Sequence, residues 1–253
     1  MIRALGILAL LMMAAVPAGA EPLPSGTAFL GDEMRARQSD DAANPGMLWV
    51  ADGAALWRAK AGAADKSCAD CHQEAARSMR GVATRYPAVD AASGKLLNLE
   101  GRINRCRSDH QKAEPFAYET DELLALTAFV ARQSKGLPMN VATDGAARPF
   151  YEQGRAFFYR RRGQLNLACA HCHVENAGRR LRGNVISHGL PVGYPVYRLT
   201  WQTMGSLHRR LRSCSFGLRA TRHPHGSDDY LALELYLAKR AEGVAVETPA
   251  IRP

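Results

Sequence analysis

Two apolar runs of helical length occur at matching places in the chain. Leu123–Val130 follows Thr120-Asp121-Glu122, and Tyr230–Leu237 follows Ser227-Asp228-Asp229. A hydroxyl at the N-cap and acids in the first turn suit the positive end of a helix. Basic residues lie near the far ends (Arg132 and Lys135; Lys239 and Arg240), and Gly136 and Gly243 stand in C-cap position. The pattern predicts two amphipathic helices of about three to four turns. A third apolar run, Ile7–Val16, is of another kind. It follows Arg3 and ends in Ala18-Gly19-Ala20, so residues 1–20 read as a signal peptide cleaved after Ala20. It is too short to span a bilayer, and no later stretch reads as a membrane span. The expected mature chain is exported and begins at Glu21.

The two capped runs belong to a longer repeat. At an offset of 101 residues Gly53 falls on Gly154, Trp57 on Phe158, Gly62 on Gly163 and His72 on His173. Each half therefore opens with a helix carrying an aromatic residue, then a Gly-containing turn. Further on the offset is 108, with Tyr86-Pro87 on Tyr194-Pro195 and Cys106 on Cys214. The larger offset places an insertion between His173 and Tyr194, read as a Gly- and Pro-punctuated loop over Arg182–Val192. The predicted fold is mainly α, with two tandem, duplicated domains over 47–137 and 149–253. Residues 138–148 form an aperiodic linker. Residues 21–46 form a proline-containing N-terminal extension, with a short helix near Asp32–Gln38.

The chemistry lies in a stretch that the repeat carries twice, Cys68-Ala69-Asp70-Cys71-His72 and Cys169-Ala170-His171-Cys172-His173. C-x-x-C-H is the attachment site of a c-type haem. Two thiols add to the porphyrin vinyl groups, and the adjacent histidine coordinates the iron. Four thiolates and two histidines at this spacing do not match the common structural zinc sites. The cofactor expected is two covalently bound haem c, with Cys68, Cys71, Cys169 and Cys172 as attachment points and His72 and His173 as axial ligands.

The repeat also tests candidates for the second axial ligand, usually Met or His. Met79 and Met139 have no partner in the second half, Met204 aligns with Leu96, and His208 aligns with Glu100. Cys106 and Cys214 alone occupy one repeat position, which makes each a candidate thiolate ligand of its own iron. A disulfide between them is the alternative, as exported proteins often carry such bonds. Arginines cluster around both: Arg102, Arg105 and Arg107 near Cys106, and Arg209, Arg210, Arg212 and Arg219 near Cys214. Nearby cations favour a thiolate. The formal charge is +9 and the sequence pI about 9.5. That balance points to acidic partners or anionic substrates; no nucleic-acid motif is present.

The two C-x-x-C-H motifs, Asn104-Arg105-Cys106-Arg107 and Arg209-Arg210-Leu211-Arg212-Ser213-Cys214 together resemble the SoxA family over nearly all of the mature chain. Its members are dihaem subunits of the periplasmic SoxAX cytochrome of sulfur-oxidising bacteria. The resemblance implies tandem c-type cytochrome domains, the second catalytic. It implies axial pairs His72/Cys106 and His173/Cys214, Cys214 as the catalytic residue able to carry a persulfide, and Arg210 as the substrate-binding residue. The implied activity is that of an L-cysteine S-thiosulfotransferase, which couples thiosulfate oxidatively to a cysteine of the SoxYZ carrier and passes two electrons to c-type cytochrome. The implied partners are SoxX, in a heterodimer, and SoxYZ. The competing reading is a dihaem electron-transfer cytochrome without sulfur chemistry.

Overall fold

The computed structural model describes residues 21–253, so the signal-peptide reading of 1–20 lies outside the described residues. The elements run α1 (Asp32–Ser39), α2 (Gly46–Arg58), α3 (Cys68–His72), α4 (Ala75–Ser78), β1 (Ala88–Val89), β2 (Leu96–Leu97), α5 (Leu99–Cys106) and α6 (Asp121–Arg132). There follow α7 (Arg148–Tyr159), α8 (Cys169–His173), β3 (Arg180–Leu181), β4 (Asn184–Val185), β5 (Val196–Arg198), β6 (Thr203–Gly205), α9 (Leu207–Gly217), α10 (Asp228–Arg240) and β7 (Ala250–Arg252). The architecture is mainly α, with short hairpins between helices.

Each half runs long helix, C-x-x-C-H helix, hairpin and two further helices, with α4 only in the first half and β3–β4 only in the second, and one glycine in each half explains the main helix crossing. α2 packs on α6, and α7 on α10. A Cβ at Gly53 would collide with the Ala125 carbonyl, and one at Gly154 with the Ala232 carbonyl. Hydrogen atoms in place of side chains let the two backbones approach closely. The capped runs form α6 and α10 as the pattern predicts, and Thr120 Oγ1 accepts the Leu123 N–H at 3.4 Å. Both helices are apolar nearly all round because both are covered nearly all round: Leu123 to Ala128 and Tyr230 to Leu233 are fully buried.

The halves share core. Leu96 joins Met139, Val141, Leu190, Val192, Leu231, Leu235 and Val246 in one apolar cluster, and Met204 packs with Val50, Leu124 and Ala128. The stretch read as linker contributes Met139 and Val141 to that core, and its backbone is satisfied by the chain's other end. Met139 N–H donates to the Val244 carbonyl, and Gly243 N–H to the Met139 carbonyl, both at 2.9 Å. It has no helical or strand period because its partner is this distant segment. The N-terminal extension contains the expected short helix and lies against β7, which runs parallel to β5. Asn44 Nδ2 donates to the Pro249 carbonyl at 2.8 Å, and Gln38 Oε1 accepts the Ile251 N–H at 3.0 Å.

A polar cluster also lies between the halves. Glu100 on α5 and Glu234 on α10 line one interior cavity of about 60 Å³. Burial, and then the charge of Glu234, push the Glu100 carboxyl up to about 8. Glu234 lies 3.0 Å from His208 Nε2 and accepts from Asn98 Nδ2 at 3.2 Å. The Gly226 N–H donates to His208 Nδ1 at 2.9 Å, which leaves the ring proton on Nε2, facing Glu234. Glu100 thus binds its proton more tightly folded than unfolded. Its contribution to stability falls as pH rises from the ordinary value of 4.5 toward about 8, and is flat above that. Glu100→Gln is expected to remove most of this decline. Urea midpoints for both proteins across that interval check it, and an unchanged slope would contradict the assignment.

Candidate functional site

In the second half the site is built from α8, the segment after it, β5 and α9. His171 Nδ1 accepts the Ala168 N–H at 2.9 Å, closing the first turn of α8 and presenting Cys169, Cys172 and His173 from one short helix. His173 Nδ1 lies 2.7 Å from the Ser187 carbonyl, which leaves Nε2 for the opposite side. Gly189 (φ +71°) packs on the His173 ring, where a Cβ would approach to 2.9 Å. The insertion is therefore the support of this histidine. Its ordered part begins before the expected loop, as the hairpin β3–β4, and Ser187 and Gly189 within the expected span make the contacts.

Cys214 on α9 lies close to His173. Burial would raise its thiol pKa, but the His173 ring and the Arg210 and Arg198 charges outweigh burial, and the thiol is held below its ordinary value. Cys169 and Cys172 also lie within the electrostatic reach of Cys214, and burial raises both. The structure thus brings Cys169, Cys172, His173, Arg210 and Cys214 together. Arg198 and Tyr194, which sequence reasoning passed over, join them.

The first half has the same parts in a different electrostatic setting. Cys68, Cys71 and Cys106 neighbour one another. His72 packs on Trp57, with ring centroids 5.7 Å apart, and no hydrogen bond joins it to Cys106 among the described residues. The arginines do not lower the Cys106 thiol as the sequence pattern suggests. Burial raises it, Arg102 opposes and Asp109 reinforces, and the net direction is upward. These arginines are themselves paired: Asp90 lies 3.2 Å from Arg102 and 3.5 Å from Arg105, and Arg105 also pairs with Asp109. All six cysteines are free, so the interdomain disulfide does not form. His223 and His225 are half-buried: His223 pairs with Asp229 at 3.1 Å and His225 stacks on Tyr118.

Two thiols and a histidine on one helical turn, with a third sulfur facing them beside an apolar cluster of Phe157, Phe158, Leu207 and Tyr230, are a donor set suited to covalently attached haem. This defines the class as a c-type cytochrome. The family described as SoxA/TsdA, cytochrome c domain, matches residues 52–139. The L-cysteine S-thiosulfotransferase subunit SoxA of Pseudaminobacter salicylatoxidans is 41% identical, the match covering 90% of this chain and 80% of that protein. The subunit of the same name from Rhodovulum sulfidophilum is 36% identical, covering 92% of this chain and 81% of its own. The crystal structure of SoxXA from P. pantotrophus contains a chain that superimposes with a TM-score of 0.88 at 37% identity, covering 91% of this chain and 87% of that one. The chain belongs to the SoxA family and carries covalently bound haem c. Among the described residues no helix is long and apolar enough to cross a membrane.

Proposed function

We propose that this chain is the catalytic subunit of a periplasmic L-cysteine S-thiosulfotransferase, exported by residues 1–20 and paired with a SoxX cytochrome subunit. Each half, 47–137 and 149–253, holds one haem c. Cys68 and Cys71 attach the first, with His72 and Cys106 as its axial ligands. Cys169 and Cys172 attach the second, with His173 and Cys214. When bound, haem c supplies an iron that accepts electrons one at a time. The thiosulfate dianion and a carrier thiol on SoxYZ become a carrier S-thiosulfonate, with loss of one proton and two electrons to c-type cytochrome.

The observation that carries this reading is the contrast between the two distal cysteines. Arg102, one helical turn before Cys106, pairs with Asp90 at 3.2 Å, whereas Arg210, one helical turn before Cys214 on α9, has no aspartate or glutamate within ion-pair distance among the described residues. Arg210 binds the sulfonate oxygens by charge-assisted hydrogen bonds, which places the sulfane sulfur toward Cys214. Cys214 serves as the sulfur nucleophile, as thiolate or persulfide, and its half-buried position limits access of water. Cys106, with its arginine closed by Asp90, suits a ligand without substrate, so the first haem has a supporting role.

The protein purified with its cytochrome subunit and mixed with thiosulfate and SoxYZ is expected to reduce c-type cytochrome, and not to do so when the carrier thiol is blocked by alkylation. Reduction that is indifferent to the carrier thiol would favour a simple electron-transfer cytochrome.

A further inference from the structure

The repeat contains a charge reversal at one structural position. In the first half β1 pairs with β2 in the register Ala88↔Leu97 and Val89↔Leu96. In the second half β5 pairs with β6 in the register Val196↔Gly205 and Tyr197↔Met204. These are the same pairs at the offset of 108. Both hairpins lead straight into the helix that bears the distal cysteine, through the N-caps Asn98 and Ser206. The residue after Val89 is Asp90, and the residue after Tyr197 is Arg198. Their helical counterparts are Arg102 and Arg210, each four residues before its cysteine. In the first half this is an acid facing a base, Asp90 to Arg102 at 3.2 Å. In the second half a base faces a base.

Burial first, and then the charge of Arg210, lower the Arg198 pKa. Among the described residues neither guanidinium has an aspartate or glutamate within ion-pair distance. Arg198 donates from one terminal nitrogen to the main-chain oxygen of Pro253, the last described residue, and its guanidinium lies 5.3 Å from the Trp201 ring centroid. Its Nε is buried without a hydrogen-bond partner. Two half-buried arginines in this register, one with an unused N–H, call for an anion that the first half, with its own acid, does not need.

We propose that Arg198 is a second substrate-binding residue, forming with Arg210 a paired-guanidinium site that holds a divalent sulfur oxyanion against Cys214. Replacing the acid of the first half by Arg198 converts a closed ion pair into an open anion site. The pair selects dianions with a tetrahedral sulfonate-like end over monovalent anions. The claim about turnover rests on the reading of Cys214 as the reacting thiol, but binding of the dianion can be measured without turnover.

The test is titration calorimetry of the haem-loaded complex with sulfate, thiosulfate and nitrate, together with steady-state kinetics. Arg198→Gln is expected to weaken sulfate and thiosulfate binding on the order of 10- to 100-fold and to raise the thiosulfate KM in step, with a smaller change in kcat. Nitrate binding should change little, and Arg198→Lys should recover part of the loss. Arg198→Asp should remove dianion binding while remaining folded by circular dichroism, because the first half already carries that ion pair in the same register. Sulfate binding and KM unchanged in folded Arg198→Gln would overturn the proposal while leaving the transferase reading intact. Arg198-dependent sulfate binding in a wild-type complex that does not turn over thiosulfate would support it and sink the transferase reading instead.

Discussion

Cys214→Met is expected to lower thiosulfate-dependent turnover by roughly 10,000-fold or more, the scale seen when an enzyme loses its nucleophile. Methionine keeps a sulfur at the distal position, and a thioether is an accepted axial ligand. What it removes is the thiol: a thioether carries no proton to lose and accepts no sulfur. Cys169 and Cys172 cannot substitute, since both are raised by burial and are the attachment thiols. The absorption spectrum of one haem should change while the covalent haem content stays the same. Turnover retained at more than roughly a tenth of the parent rate would sink the role of Cys214, and an unchanged spectrum would sink the axial assignment. The equivalent Cys106→Met should alter a spectrum and leave much of the turnover, since that thiol sits in a neutralised setting.

Arg210→Ala should lower kcat/KM for thiosulfate by about 100-fold or more, the scale of a lost charge-assisted contact that also orients a substrate. Both haems should remain bound. Two effects add here: the dianion loses a guanidinium one helical turn from the thiol, and Cys214 loses one of the charges that hold its pKa down. The second effect gives a signature. With Arg210 gone, the pH dependence of the residual rate should shift upward, because the thiol then ionises at higher pH. An upward shift together with the rate loss supports both roles; a rate loss at an unmoved pH profile would restrict Arg210 to binding.

Much of this site is legible in the sequence because haem attachment is a local demand. Two thiols and an imidazole must reach one macrocycle, so their spacing is written into five consecutive residues, twice. The capped helices are legible for the same reason, as caps and first-turn acids act within a few residues of where they stand. The distal cysteines are less local and become visible only through the repeat. What the sequence does not disclose is which charges cancel. Arg102 and Arg210 look alike in a one-dimensional reading, each four residues before a cysteine in a basic stretch. Their difference lies in Asp90 and Arg198, at the ends of two-residue and three-residue strands too short to announce themselves. The Glu100–Glu234 contact joins residues on α5 and α10, far apart in the chain, and no periodicity could have placed them together. The supporting role of the insertion is hidden in the same way, since a carbonyl at Ser187 and a missing Cβ at Gly189 leave no trace in side-chain pattern.

The central claim is that the thiol of Cys214, with Arg210 beside it, transfers a thiosulfate-derived group to a carrier cysteine. Mass spectrometry of SoxYZ after incubation with thiosulfate, oxidised c-type cytochrome and the complete two-subunit protein tests it most directly. The account predicts that the carrier cysteine gains one S-thiosulfonate group with the wild-type protein and none with Cys214→Met. An unmodified carrier with the wild-type protein, or equal modification with both, would contradict it.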